Sequence, residues 1–138
     1  MDMRAFNEDL IRRYRAGEEL PGGMHRDRLV LLTTTGHHSG EPRTAPVMFE
    51  RFDGDLLVVG SNDGATEHPH WVLNLRADPH ATIETPNGDR AEVVGEELSG
   101  DERIVEWEDL VRGMPFLAEH QERAGDRTIP LVRLRRCG

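Results

Sequence analysis

The chain has 138 residues, a single cysteine, no lysine and a formal net charge of -9 at pH 7. That length supports one domain, residues 1–138, around a single core, and the acidic balance argues against a general nucleic-acid binder, which needs a positive field. With no lysine, Schiff-base catalysis is ruled out, so any fixed cation in a site must be arginine or protonated histidine.

The lone Cys137 forbids an intrachain disulfide, which fits a cytoplasmic protein. The N-terminal MDMRAFNEDLIRRYRAG is charged and lacks the apolar stretch of a signal peptide. No window approaches the roughly 20 apolar residues of a spanning helix, so no stable membrane insertion is expected.

Phe6, Leu10 and Tyr14 recur every fourth residue and predict a helix from Met3 to Ala16, ended by Gly17 and Pro21-Gly22-Gly23. Its apolar stripe suits core packing, with a membrane-skimming or lid helix as the other reading. Strands are predicted at Arg28 to Thr35, Arg43 to Phe52 and Asp55 to Ser61, with Asp53-Gly54 as a hairpin turn. Asn62 to Glu67 reads as loop, and Pro69 suits the first turn of a helix running to about Ala77. A second strand pair, His80 to Thr85 and Arg90 to Leu98, flanks the turn signal Asn87-Gly88. Ser99 and Glu102 form a capping-box pattern for a helix from Gly100 to Arg112. Pro115 to Arg123 reads as a further helix or turn, and Ile129 to Arg135 as a closing strand. About six strands joined mostly by short hairpins predict a mainly β, α+β fold: a six-stranded antiparallel barrel with flanking helices.

Two segments carry the chemistry. In Thr33 to Arg43 a glycine turn between strands is the plain reading. The functional reading is an anion cradle: Gly36 and Gly40 expose backbone N–H groups, Ser39 adds a hydroxyl, and Arg43 offers a bidentate fork. In Gly60 to Trp71 a polar loop enters a helix N-terminus, where unpaired N–H groups suit a ligand. Small residues at Gly64 and Ala65 let a planar ring lie against backbone, and Trp71 is either its neighbour or a core residue. The histidines at 37, 38, 68, 70, 80 and 120 lack HExxH or cysteine spacing, so no metal site is expected.

These segments resemble the deazaflavin-dependent nitroreductase family. TTTGHHSGEPRTAPV is similar to its TTTGRKSGxPRxxPL, GSNDGATEHPHWVLNLRADPHATIE to its GSxGGxxKHPxWxxNLxANPxVxVE, and RTIPLVRL to its closing TxRxIPVxxL. The resemblance implies a split β-barrel like those that bind flavin mononucleotide. It implies an oxidoreductase using coenzyme F-420, an 8-hydroxy-5-deazaflavin with an anionic phosphate and oligoglutamate tail, with FMN a weaker fit. Members pass hydride from the reduced cofactor to quinones, nitro compounds or activated alkenes. The tail-binding turn falls on His37, His38, Ser39 and Arg43, and Pro46 lies along the ring. Asn62, Asp63, Gly64, Ala65 and Thr66 would donate backbone hydrogen bonds to the ring, and His68, Trp71 and Asn74 complete the second motif. Such barrels commonly form dimers, so a homodimer is one assembly left open.

The chain departs from that pattern. His37-His38 replaces an Arg-Lys pair, so neutral imidazoles stand where fixed cations would grip the tail. Glu67 stands where lysine is usual; at an effective dielectric near 20, reversing a charge at about 5 Å changes an interaction by several kcal/mol before screening. The family's YPxYxxYQ-like segment aligns with Met114 to Gln121, which keeps none of its tyrosines and leaves His120 as the nominated general acid. These departures leave a second reading, a member that has given up deazaflavin to bind an apolar ligand such as a fatty acid or haem-like molecule, or to catalyse a redox-neutral step.

Overall fold

A computed structural model describes residues 3–137. Six strands, β1 Leu29–Thr35, β2 Pro42–Phe52, β3 Asp55–Val59, β4 His80–Glu84, β5 Arg90–Glu97 and β6 Leu131–Arg136, close into a barrel in the order β1-β2-β3-β6-β5-β4. Every pairing is antiparallel. Closure leaves no free sheet edge. Four helices decorate it: α1 Met3–Ala16, α2 His70–Ala77, α3 Gly100–Gly113 and α4 Phe116–Ala124.

The continuous apolar run of β1 follows from burial on both faces. Val30 and Leu32 point into the barrel with Val58, Ile83, Val93, Val132 and Leu134. Leu29 and Leu31 face outward and are covered by Leu10, Tyr14 and Leu20. A strand clothed on both sides has no reason to alternate apolar and polar residues. On the opposite wall Leu57 and Leu131 meet Leu98, Leu110 and Leu117 beneath α3 and α4. α2 plugs the barrel, placing Trp71, Val72 and Leu75 in the interior cluster.

The turns follow local chemistry. Asp53 (φ 47°) and Gly54 (φ 84°) are both left-handed, as a two-residue type I′ hairpin needs. At Asn87-Gly88 only Gly88 is left-handed (φ 88°), and Thr85 N–H bonds to Asp89 O at 2.8 Å, so this hairpin has a longer loop. The final strand starts two residues later than the sequence pattern places it, because Pro130 has no N–H for a ladder. Ser99 occupies the N-cap of α3 but makes no side-chain cap bond. Gly100 beside it is left-handed (φ 58°), so the helix entry lacks the regular geometry of a capping box. The apolar stripe of α1 faces the core, with Leu10 and Tyr14 buried and Phe6 and Ile11 packed against them. No helix among the described residues is long and apolar enough to cross a membrane.

Tyr14 fastens α1 to the barrel. Its hydroxyl donates to Leu29 O at 2.8 Å, with Glu84 O at 3.3 Å. Burial pushes the phenol up to about 12, the Arg26 guanidinium opposing and Glu84 adding to the rise. The folded pKa lies above the ordinary value of about 10. The stabilising contribution is therefore complete below pH ~10 and is lost as pH rises through about 12. Tyr14 is the only tyrosine. Ultraviolet titration of the native protein should show no phenolate until the pH approaches 12, and urea midpoints should fall above pH 10. A phenolate appearing with a midpoint near 10 in the folded protein would contradict this burial.

Candidate functional site

The two sequence segments meet at one end of the barrel, around two adjoining cavities of about 500 and 510 Å³. Ala45, His70 and Trp71 line both, so the two spaces adjoin at the indole. Their linings are opposite in charge. The first carries Glu50, Asp63 and Glu67 and no arginine, among apolar residues that include Pro46, Met48, Phe49, Met114, Phe116 and Leu117. The second is a groove lined by His37, His38, Ser39 and Arg43 from the β1–β2 turn and by Arg4 from α1, with no carboxylate. Glu67 thus belongs to the apolar cavity, apart from the cationic groove. Met48 and Phe116 are 48% and 41% exposed at the mouth of the first cavity, an apolar lip that invites a flat ligand.

Asn74 holds the first turn in place. It is buried at 2% exposure on α2, beneath the turn. Its Oδ1 accepts from the His37 N–H at 2.9 Å and lies 2.5 Å from His37 Nδ1, while its Nδ2 donates to Thr34 Oγ1 at 2.9 Å. Gly36 N–H donates to Glu41 O, Gly40 N–H to Gly36 O and Glu41 N–H to Ser39 Oγ. The amides of Gly36, His37, Gly40 and Glu41 are therefore engaged internally, and among the described residues those of His38 and Ser39 have no partner in the chain. Arg43 is exposed, its Nη2 3.5 Å from Ser39 Oγ. The His37 ring lies 4.1 Å from that of His38 and 6.1 Å from that of His70, giving three imidazoles at the groove.

The second loop is a 3-10 turn, Asn62–Gly64, in which Asn62 (φ 48°), Asp63 (φ 53°) and Gly64 (φ 77°) are successively left-handed. Gly64 N–H donates to Ser61 O and Ala65 N–H to Asn62 O, both at 2.9 Å. Those two amides close the turn and are not open to a ligand. The amides of Asn62, Asp63 and Thr66 carry no hydrogen bond within the described chain. Asn62 and Asp63 line the apolar cavity; Gly64, Ala65 and Thr66 line neither space. His120 also lines neither. Its ring stands edge-on to Phe116 at 5.3 Å, and its Nδ1 is buried without a partner. Among the described residues no group of three or more His, Cys, Asp or Glu is placed to hold a metal ion.

The family described as F420H(2)-dependent quinone reductase matches the chain over residues 5–135. The chain belongs to this family. A curated F420H(2)-dependent quinone reductase of Mycobacterium tuberculosis (strain ATCC 25618 / H37Rv) is 39% identical over 70 residues, covering 50% of this chain and 44% of that protein. The matched stretch is thus less than half of that relative's own length. A solved F420-H2 dependent reductase is 33% identical at a TM-score of 0.68, covering 81% of this chain and 99% of its own. A domain-swapped dimer is 32% identical at a TM-score of 0.69, covering 92% and 94%.

In this member of the quinone reductase family several contributors to the site escaped the sequence pattern, among them Arg4 of the groove and the two that follow. Asn7 of α1 lines the apolar cavity, and only the folded chain brings it there. Arg127, just before β6, reaches back to the second loop. It donates from Nε to Ala65 O at 2.9 Å, from Nη1 to Gly60 O at 2.9 Å and from Nη2 to Ser61 O at 2.7 Å. Its one visible signal is that it occupies the arginine of the TxRxIP pattern.

Proposed function

We propose that the protein is a deazaflavin-dependent reductase that passes hydride from reduced coenzyme F-420 to a neutral, planar, quinone-like acceptor. The observation that carries this reading is the pair of adjoining cavities with linings of opposite charge. An amphiphilic cofactor with a flat ring and an anionic tail fits a cationic groove that adjoins, across an indole, a space lined by apolar residues and three carboxylates, which can flank the ring and would repel the tail. The residues that would hold the tail are Arg43, Ser39, His37 and His38, with the amides of His38 and Ser39. Pro46, Trp71 and the Asn62–Asp63 backbone would flank the ring. When bound, the deazaflavin supplies the hydride chemistry; the chain supplies orientation and a water-poor space. Family membership and the names of the relatives support the cofactor and the acceptor class. Met114, Phe116 and Leu117, in the segment where the family pattern carries tyrosines, support an apolar acceptor held with few hydroxyl donors.

Oxidised coenzyme F-420 titrated into the protein and followed by its fluorescence tests the orientation. Arg43→Ala removes the fixed cation of the turn, and affinity should fall at least about tenfold, ~1.4 kcal/mol. Wild-type affinity in that variant would refute the placement of the tail in this groove.

A further inference from the structure

His68 lines the apolar cavity, and its ring is held by a contact that fixes its protonation. Arg127 Nη1 lies 2.9 Å from His68 Nδ1. A guanidinium only donates, so Nδ1 must present its lone pair, and a neutral ring then carries its proton on Nε2. Nε2 has no hydrogen-bond partner among the described residues, and it is absent from the buried atoms that lack one, so it is open to a ligand. Four of the five N–H donors of Arg127 are engaged, one with His68 and three with Gly60, Ser61 and Ala65. The guanidinium thereby fixes the ring relative to the loop that forms the cavity wall.

We propose that His68 is the hydrogen-bond donor that recognises a carbonyl-type oxygen in the apolar cavity, presenting Nε2–H from a neutral ring, and that Arg127 is the positioning residue that keeps it so. This rests on the reading that the cavity takes the ring end of a deazaflavin and its acceptor. Burial first, then the Arg76 and Arg127 charges, hold the ring below its ordinary proton affinity, with Glu97 opposing. A neutral imidazole donates to an oxygen without placing a full positive charge in the cavity. It favours an oxygen that gains negative charge as hydride arrives at the conjugated carbon, the balancing proton coming from water. The matching oxygen belongs either to the deazaflavin ring or to the acceptor.

Nitrogen NMR of histidine-labelled protein without ligand reads the tautomer directly. At pH 7 His68 should show Nε2–H and an unprotonated Nδ1, and Arg127→Lys, which loses the fork, should shift it toward a mixture. A protonated ring, or Nδ1–H in the wild type, overturns the proposal. Binding of oxidised coenzyme F-420 and kcat/KM for menadione are then compared in His68→Phe and His68→Gln. Roughly tenfold weaker cofactor binding in His68→Phe puts the oxygen on the deazaflavin. Unchanged cofactor binding with a roughly tenfold loss in kcat/KM puts it on the acceptor. His68→Gln, which keeps an N–H donor, should recover most of either loss. Wild-type values of both quantities in His68→Phe, or a folded His68→Gln as impaired as the phenylalanine variant, overturns the proposal. A wild type that binds no deazaflavin instead sinks the functional reading, and the NMR result stands apart from it.

Discussion

Asn74→Leu should lower stability by about 3 kcal/mol and loosen the anion groove. Leucine repeats the branching of asparagine at Cγ but with bulkier methyl groups, so overpacking adds to the loss of the oxygen and the amide. The His37 N–H and ring nitrogen, and the Thr34 hydroxyl at 3% exposure, would be left without their partner. Each net hydrogen bond contributes about 1 kcal/mol, and a polar group abandoned inside costs about 1–3 kcal/mol. In a domain of this size the total corresponds to a fall in Tm of roughly 10 °C. Urea unfolding gives the number. Asn74→Asp retains an acceptor for His37 and can accept from the Thr34 hydroxyl, but it buries a carboxylate, so its cost is that of desolvating the charge and should rise with pH through the carboxylate range. If Asn74→Leu stays within about 0.5 kcal/mol of wild type, the buried amide is not what holds the turn. The same variant should bind coenzyme F-420 less tightly, because the His38 and Ser39 amides are presented by the turn that Asn74 anchors.

The sequence reading succeeded where a single local rule governs. The Leu-Val-Leu-Leu run of β1, the Asp53-Gly54 turn and the helix after Pro69 each obey propensity and pattern within a few residues, and tertiary packing agrees with them. The two segments it singled out meet at one end of the barrel, but the use of their atoms was not legible. Glycines in a loop promise open amides, yet Gly36, Gly40 and Gly64 donate to carbonyls of their own turns. Backbone polar groups pair locally when a partner lies in reach, and no spacing rule discloses that. Asn74 reads as a motif residue near a ligand, whereas α2 packs against the barrel and carries its amide under the turn. Arg127 contacts a loop some sixty positions earlier in the chain; that approach exists only once β3 and β6 are paired. His120 was nominated by elimination among aligned positions. The period of α4 instead sets it beside Phe116, where it lines neither cavity. Charge behaved differently again. The net acidity of the whole chain concealed a groove without a single carboxylate in its lining.

Gly64→Ala should cost about 3 kcal/mol and impair binding at the second loop. Gly64 has φ 77°, and a Cβ there would sit 2.8 Å from His120 O, 3.0 Å from His120 Cα and 3.0 Å from Arg123 Cβ. The left-handed conformation alone costs an L-residue about 1–2 kcal/mol. The neighbours are mostly backbone of α4, which cannot rotate aside as a side chain would, so relief requires shifting the helix or the loop at about 1–3 kcal/mol. Gly40→Ala separates the two terms. Gly40 has a similar φ of 73° but nothing within 4 Å of the added carbon, so only the conformational cost applies. The gap between the two variants measures the contact of the Asn62–Gly64 turn with α4. Equal losses would mean that α4 yields freely and does not fix the loop. A larger loss at Gly64, accompanied by weaker deazaflavin binding, would mean that α4 sets the height of the Asn62–Asp63 backbone above the apolar cavity. On that account α4 shapes the site by packing, although it carries the histidine that sequence alignment nominated for chemistry.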